Sequence, residues 1–201
     1  MILETKRLIL RPWKESDAED LFEFAKNPKI GPIAGWPPHK NVDESLAVIR
    51  NVFSDNLTFA TCLKEENRAV GSIDLKMGEK TDLTNAKDEA EIGYWIGAKY
   101  WGQGLIPEGA KEIIRYGFED LHLKCLWAGY YDGNEKSHRV QEKCGFKYHH
   151  TTKDVYVPRM NETRIGHVSF FDKRAVGTHT RKIKTNFIFM IIIDSLENIL
   201  N

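Results

Sequence analysis

EIGYWIGAKYWGQGLIPEGAKEIIRYGFEDL, Glu91 to Leu121, decides how the chain is to be read. It reads as strand, glycine-rich loop and helix. Glu91 to Ile96 is a short apolar run rich in aromatic and β-branched residues, the mark of a buried strand. Gly97 ends it. Trp101-Gly102-Gln103-Gly104-Leu105-Ile106 then makes a tight loop. Pro107 suits the first position of a helix, where its missing N–H is no loss, and it should push Ile106 out of the helical region. Beyond it, Ala110, Ile113, Ile114, Gly117, Phe118 and Leu121 fall on a single helical face.

Free N–H groups of such a loop and first helical turn point at an anion from the positive end of a helix dipole. Gly102 and Gly104 carry no side chains that would hold a phosphate away from the backbone. An ordinary strand–turn–helix corner with glycines for tight turning is the plainer alternative. Two phosphate-loop patterns fail on the letters. A P-loop requires a lysine where Ala110 stands, and a dinucleotide fingerprint requires its third glycine closer to Gly104 than Gly109 is.

Trp101-Gly-Gln-Gly104-Leu-Ile106 resembles the acetyl-coenzyme A loop, Gln/Arg-x-x-Gly-x-Gly/Ala, of the GNAT superfamily of N-acetyltransferases. The words EIGYWIG-x-x-YWGQG and PEGAKEIIRYGFEDL, then Asn134-x-x-Ser137 and Lys143-Cys-Gly-Phe146, are similar to the RimJ/RimL branch of ribosomal-protein N-acetyltransferases. Trp101 stands where the wider pattern has Arg or Gln, as is common in that branch. Ile106 replaces the small final residue, which backbone donation does not require. The resemblance spans about residues 1 to 171. It implies an α+β, three-layer fold with a mixed, mostly antiparallel sheet of about seven strands flanked by about four helices, splayed between strands four and five. One domain over 1–171 and a C-terminal extension over 172–201 follow.

The implied cosubstrate is acetyl-CoA, with no metal. The loop residues Trp101, Gly102, Gln103, Gly104, Leu105 and Ile106 would hold the pyrophosphate. Trp95, Ile96 and Gly97 of the fourth strand would bind pantetheine in the splay, with an amide at Trp95 or Ile96 serving the acetyl oxygen. Asn134 and Ser137 match the Asn-x-x-Ser contact. Many relatives place a tyrosine acid seven residues after that asparagine; here the position is Gln141, which cannot act as one. Ser137 is the hydroxyl left near the sulfur, although a first-turn serine often only satisfies backbone. Glu91 is the candidate general base, through water; the alternative is a strand-end charge facing solvent. Trp36 and His39, in Gly31-Pro-Ile-Ala-Gly-Trp-Pro-Pro-His39, border the implied acceptor pocket. A histidine after two prolines is more often a surface loop residue.

The resemblance implies transfer of acetyl to a primary amine, a protein N-terminus being one acceptor. A polyamine, amino acid or antibiotic amine is the rival, and a silent acyl-CoA-binding module is a third reading. Deprotonation at pH 7 costs roughly 1.4 kcal/mol for an α-amine and roughly 4.6 kcal/mol for a lysine. An α-amine therefore needs little help from a base.

Hydrophobic residues at 41% and charged residues at 29% are ordinary for a chain of 201 residues with a real core. Lys+Arg and Asp+Glu balance at 29 each, which argues against bulk attraction to nucleic acid or an anionic membrane. Cys62, Cys125 and Cys144 have no metal spacing and read as buried thiols in a reducing cytoplasm. MILETKRLIL carries early charges and no export signal.

In chain order, Arg7–Arg11 predicts a strand, and a capping box at Ser16–Glu19 predicts a helix through Ala25. A second helix should be capped by Asp43 or its predecessor. Thr58–Leu63 and Ala69–Met77 predict an antiparallel pair, Gly78–Lys87 a flexible polar loop, and Lys124–Tyr131 a strand. Asn134 caps a short helix that Gly145 stops. Phe146–Val155 and Thr163–Phe171 predict a final hairpin. His149-His150 has no further metal ligands placed for it. Phe187–Ile193, seven apolar residues, is far short of the roughly 20 a membrane span needs. It reads as a buried strand, a packed helix or a homodimer contact.

Overall fold

The computed structural model describes residues 1–172. The sequence alternation of apolar residues is realised in one eight-stranded sheet. Its strands are β1 (Leu3–Glu4), β2 (Leu8–Pro12), β3 (Thr58–Leu63), β4 (Arg68–Lys76), β5 (Glu89–Ile96), β6 (Cys125–Tyr131), β7 (Lys147–Val157) and β8 (Glu162–Asp172), in the order β1-β2-β3-β4-β5-β6-β8-β7. Five helices flank it among the described residues: α1 (Ala18–Ala25), α2 (Gly31–Ala34), α3 (Val42–Asn51), α4 (Leu105–Glu119) and α5 (Glu135–Cys144). The strand β1 and the helix α2 exceed the expected seven and four. All pairings are antiparallel except β5 with β6, which run parallel for Glu89↔Cys125, Ala90↔Leu126 and Glu91↔Trp127 and then part. With β1 counted, β5 and β6 are the expected fourth and fifth strands. The final hairpin enters in reverse: β8 pairs with β6, leaving β7 at the edge.

One face is covered by α4, whose Ala110, Ile113 and Ile114 join Leu8, Leu10, Ile73 and Leu126 in the main core. Gly109 lets the helix approach, because a Cβ there would stand 2.7 Å from Ile73 Cδ1. The other face is covered by α1 and α3, which pack Leu21, Ala25, Val48 and Ile49 with Ala60 and Cys62. The three cysteines are buried and form no disulfide with one another. Burial pushes the Cys62 and Cys144 thiols up to about 11. No helix of the described residues is long and apolar enough to cross a membrane.

Several local expectations are corrected. The helix α4 begins at Leu105, so Ile106 is helical and Pro107 sits third. Gly104, at φ 73°, turns the chain into the helix, and amides of the first turn need no intrahelical partner. A 3-10 turn, Glu15–Asp17, leads into α1, so the N-cap position is Asp17 and not Ser16; the Asp17 carboxylate does not cap α1 but accepts from Lys14 N–H at 2.9 Å. Asn41, not Asp43 or Val42, caps α3, accepting from Glu44 N–H at 2.8 Å. The stretch 78–87 is not a loose loop: Thr81, Leu83 and Thr84 are buried, and both threonines bond carboxylates of β5. The extension beyond Asp172, with its apolar run, lies outside the described residues.

Asp17 also pairs bidentately with Arg11 at 2.7 and 2.9 Å, both side chains under a tenth exposed. The bond from Asp17 holds the Arg11 guanidinium above its usual range. Removing one partner strands a buried charge, so Asp17→Ala should lower stability by about 3 kcal/mol, read as a shifted urea midpoint.

Candidate functional site: a coenzyme groove and an acceptor cleft meeting at the strand splay

After β5, Gly97 N–H closes on Val70 O at 2.8 Å, and a 3-10 turn, Ala98–Tyr100, leads to the loop. Trp101 is pinned by its indole N–H to Ile96 O at 3.1 Å. Gly102 and Gly104 both hold left-handed φ, 77° and 73°, and a Cβ on Gly102 would meet nothing within 4 Å. The amides of Gly102, Gln103, Gly104, Leu105 and Ile106 have no partner among the described residues. Those of Trp101 and Glu108 are committed, to Ala98 O and Gly104 O, which narrows the anion-binding stretch expected from the sequence. Arg7 braces the loop from the β1–β2 turn. Its Nη1 donates to Gln103 O at 2.9 Å, and its Nε and backbone N–H donate to the Glu108 carboxylate. Burial pushes that carboxyl up, but the bonds from Thr5 and Arg7 outweigh it and hold it low.

The loop forms one wall of a groove of about 350 Å³. Lys29, Lys136, Arg139 and Lys143 line it, and none of the four forms an ion pair among the described residues. Lys136 Nζ lies 4.3 Å from the centroid of the Trp101 ring. The sequence reading did not single out these cations. Their signal was there: Lys136, Arg139, Val140 and Lys143 repeat at the spacing of one helical face.

The groove runs into the opening between β5 and β6. The bond from Gly97 to Val70 sets the ladder's phase, so the amide of Trp95 turns to β4. Those of Tyr94 and Ile96 face the gap, so of the two amides expected to serve the acetyl oxygen only Ile96 is placed for it. Across the gap, Asn134 caps α5 by accepting from Ser137 N–H at 3.2 Å. Ser137 Oγ lies 3.0 Å from the Tyr94 hydroxyl, and burial keeps that phenol well above its ordinary range and thus protonated.

On the far side lies a cleft of about 200 Å³. It shares Tyr94, Trp95, Asn134 and Ser137 with the groove. Along β4 and β5, Ser72, Asp74 and Lys76 pair with Trp95, Gly93 and Glu91 on the face that lines it. Trp36 packs edge-on to Trp95 at 6.0 Å, and Gly31 makes room for its ring. His39 is buried, not a surface loop residue; its Nδ1 lies 2.8 Å from Ser45 Oγ, and burial pulls it down to about 4. Glu91 is buried as well, ruling out the solvent-facing alternative: it pairs with Lys76 at 3.0 Å and accepts from Thr81 at 2.8 Å.

The model of the acetyltransferase (GNAT) domain matches residues 7–147. The chain belongs to the GNAT acetyltransferase family. FsC-acetyl coenzyme A-N(2)-transacetylase of Aspergillus fumigatus is 36% identical over 160 residues, 77% of this chain and 68% of that protein. Among solved structures, the microcin C7 self-immunity acetyltransferase MccE, in complex with acetyl-CoA and AMP, superposes with a TM-score of 0.69 at 20% identity. The match covers 83% of this chain and 93% of MccE. Ribosomal-protein-S5-alanine acetyltransferase from Vibrio fischeri superposes at 0.64 and 19% identity, covering 89% of this chain and all of the other. The eight-stranded, mostly antiparallel open sheet is the GNAT fold, and the chain is an acetyl-CoA-dependent acyltransferase.

In this GNAT domain every residue singled out from sequence lies along the continuous groove and cleft except Gln103, whose side chain caps the turn at Lys99 O, and Gly97, which abuts Phe24. No cluster of metal-binding side chains occurs among the described residues. The sequence reading missed Asp74. Its carboxylate lies over Gly93, where a Cβ would come within 2.6 Å of Oδ1. Burial pushes it up to about 6, against the pull of Lys76. A carboxyl whose folded value exceeds its ordinary 3.8 holds its proton more tightly folded than unfolded. Its ionised form therefore subtracts stability, a loss that builds from about pH 4 and is complete above about pH 6. Asp74→Asn should raise stability by about 1–2 kcal/mol at pH 7.5, at about 1.4 kcal/mol per unit less a discount for the open cleft, and by nothing below pH 4. Thermal melts across that range check it.

Proposed function

We propose that the chain transfers acetyl from acetyl-CoA to a primary amine by direct attack in a ternary complex, with a protein N-terminal α-amine as acceptor. The observation that carries this is the meeting of groove and cleft at Tyr94, Trp95, Asn134 and Ser137, which lets two ligands touch through the splay. The free amides from Gly102 to Ile106 suit a diphosphate, and the four surrounding cations suit its charge and a further phosphate. Pantetheine would lie along Trp95, Ile96 and Gly97 and past Asn134. The cosubstrate supplies an activated thioester.

The residues supply placement and proton traffic. Glu91, fixed by Lys76 and Thr81, accepts the proton of the acceptor ammonium through water. The Ile96 amide donates to the acetyl oxygen as negative charge develops on it. The new N–C bond forms and the C–S bond breaks; the proton then shed by the attacking nitrogen passes through water to the leaving thiolate, to whose sulfur Ser137, backed by the Tyr94 hydroxyl, donates a hydrogen bond. Tyr94 answers the loss of the usual tyrosine at Gln141: a phenol reaches the same region from the sheet. The α-amine reading is supported by the small cost of deprotonating such an amine and by the fold shared with a ribosomal-protein acetyltransferase.

Calorimetry with acetyl-CoA tests the loop. Gly104→Glu should abolish binding with the circular dichroism spectrum unchanged; retained affinity would remove the loop from the mechanism. Thiol release against peptide N-termini and lysine-bearing peptides tests the reaction, and binding without turnover across the panel would favour a silent module. Ser137→Ala should lower kcat about 3- to 10-fold, the worth of one hydrogen bond. An unchanged rate at saturating substrate would leave Ser137 structural.

A further inference from the structure

The acceptor cleft is rich in charge, but most of it is neutralised internally. Asp55 pairs with Lys80 at 2.7 Å and Glu91 with Lys76 at 3.0 Å. His39, drawn down to about 4 by its burial, is uncharged near neutrality. One carboxylate and one guanidinium remain. Asp74 and Arg159 both line the cleft, and neither makes a hydrogen bond or ion pair among the described residues.

Both positions are built. Gly93, lacking a side chain, is what allows the Asp74 carboxylate to lie across β5. Arg159 stands on the 3-10 turn Pro158–Met160 at the tip of the β7–β8 hairpin. Asn161 closes that turn at φ 48°, with its N–H to Pro158 O at 3.1 Å and its side chain accepting from Tyr156 at 3.0 Å. The turn thus holds a half-buried guanidinium over the cleft, and burial lowers it from its ordinary range. Glu44, at the start of α3, is the carboxylate whose field reaches Arg159, but it forms no ion pair with it and accepts instead from Lys40 N–H at 2.6 Å. An unpaired, partly desolvated guanidinium is costly to hold unless something anionic arrives to meet it.

We propose that the acceptor is an amine that also bears a carboxylate, its nitrogen set against Asp74 and its carboxylate against Arg159. The edge-on pair Trp36 and Trp95 supplies the apolar wall for the carbon skeleton between them. The inference rests on the acetyl-transfer reading but not on its choice of a protein N-terminus, and it gives the acceptor's chemistry instead. The same chemistry has two sources: a free amino acid, or a polypeptide N-terminus with an acidic residue in its first positions. A plain polyamine is disfavoured, since its second cation would face Arg159.

Matched acceptors decide it in the thiol-release assay with the full chain. One set compares amino acids with their amides; the other compares peptides carrying Asp or Asn at the second position. In at least one set the carboxylate member should win by about tenfold or more in kcat/KM, the worth of a charge-assisted bond. The amides have the more readily deprotonated amine, so chemistry alone would favour the opposite order. Arg159→Gln should collapse that ratio to near one, mainly through KM, and Arg159→Lys should restore part of it. Unchanged coenzyme affinity reports that the variants fold, and the wild-type ratio decides the matter if they do not. Turnover with no carboxylate preference, or a preference that survives Arg159→Gln, overturns the proposal. Absence of turnover with every amine overturns instead the reading on which it rests.

Discussion

The parallel ladder between β5 and β6 stops after three residue pairs, and the functional geometry follows from where it stops. The closed end is held by side chains. Glu89 accepts from Trp127 at 2.7 Å and Thr84 at 2.6 Å, and Glu91 is bonded by Lys76 and Thr81. Beyond Glu91 that edge of β5 has no neighbouring strand among the described residues, although main-chain groups without partners are expensive to bury. An extended ligand laid in the opening can complete the ladder as a strand would. The strand's alternation does the rest. Tyr94 and Ile96 face the α4 core and Glu91, Gly93 and Trp95 face the acceptor cleft, so one strand serves two rooms.

The buried Arg11–Asp17 pair and the Asp55–Lys80 and Lys76–Glu91 bridges join elements and cancel charge within the fold. The groove and the cleft differ: among the described residues four cations that line the groove form no ion pair, and the cleft holds one carboxylate and one guanidinium without one. Burial pushes the Asp74 carboxyl up, against the pull of Lys76. The neutral net charge of the whole chain conceals this division.

The parts of the site that were legible in the sequence are those that depend on backbone conformation. Gly102 and Gly104 need left-handed φ, Asn134 needs to cap, and Gly145 needs to stop a helix at φ 88°. Each is written in a single letter and its neighbours. The strand ranges are legible from periodicity, whereas the splay was legible only through the family resemblance. The segment 78–87 is irregular, as its polar letters suggest, but those letters do not show its anchoring: Thr81 and Thr84 are buried and bond Glu91 and Glu89. Capping letters recur at adjacent positions, Ser16 and Asp17, and the fold turns the Asp17 carboxylate to Arg11 and to Lys14 N–H, leaving α1 without a side-chain cap.

By itself, then, the sequence determined most of the strands and helices and the glycine turn before α4, and its motifs carried the resemblance to one acyltransferase family. The elements and the turn rest on periodicity and on residues with restricted backbone choices, which are local properties. Tertiary structure alone decided the acceptor cleft. Asp74, Trp36, Tyr94 and Arg159 come from four distant segments, and which charges find partners is set by distances across the sheet. No spacing along the chain encodes that Lys76 meets Glu91 while Asp74 and Arg159 remain open. Pairing between side chains is a through-space quantity, fixed only once the strands are in register.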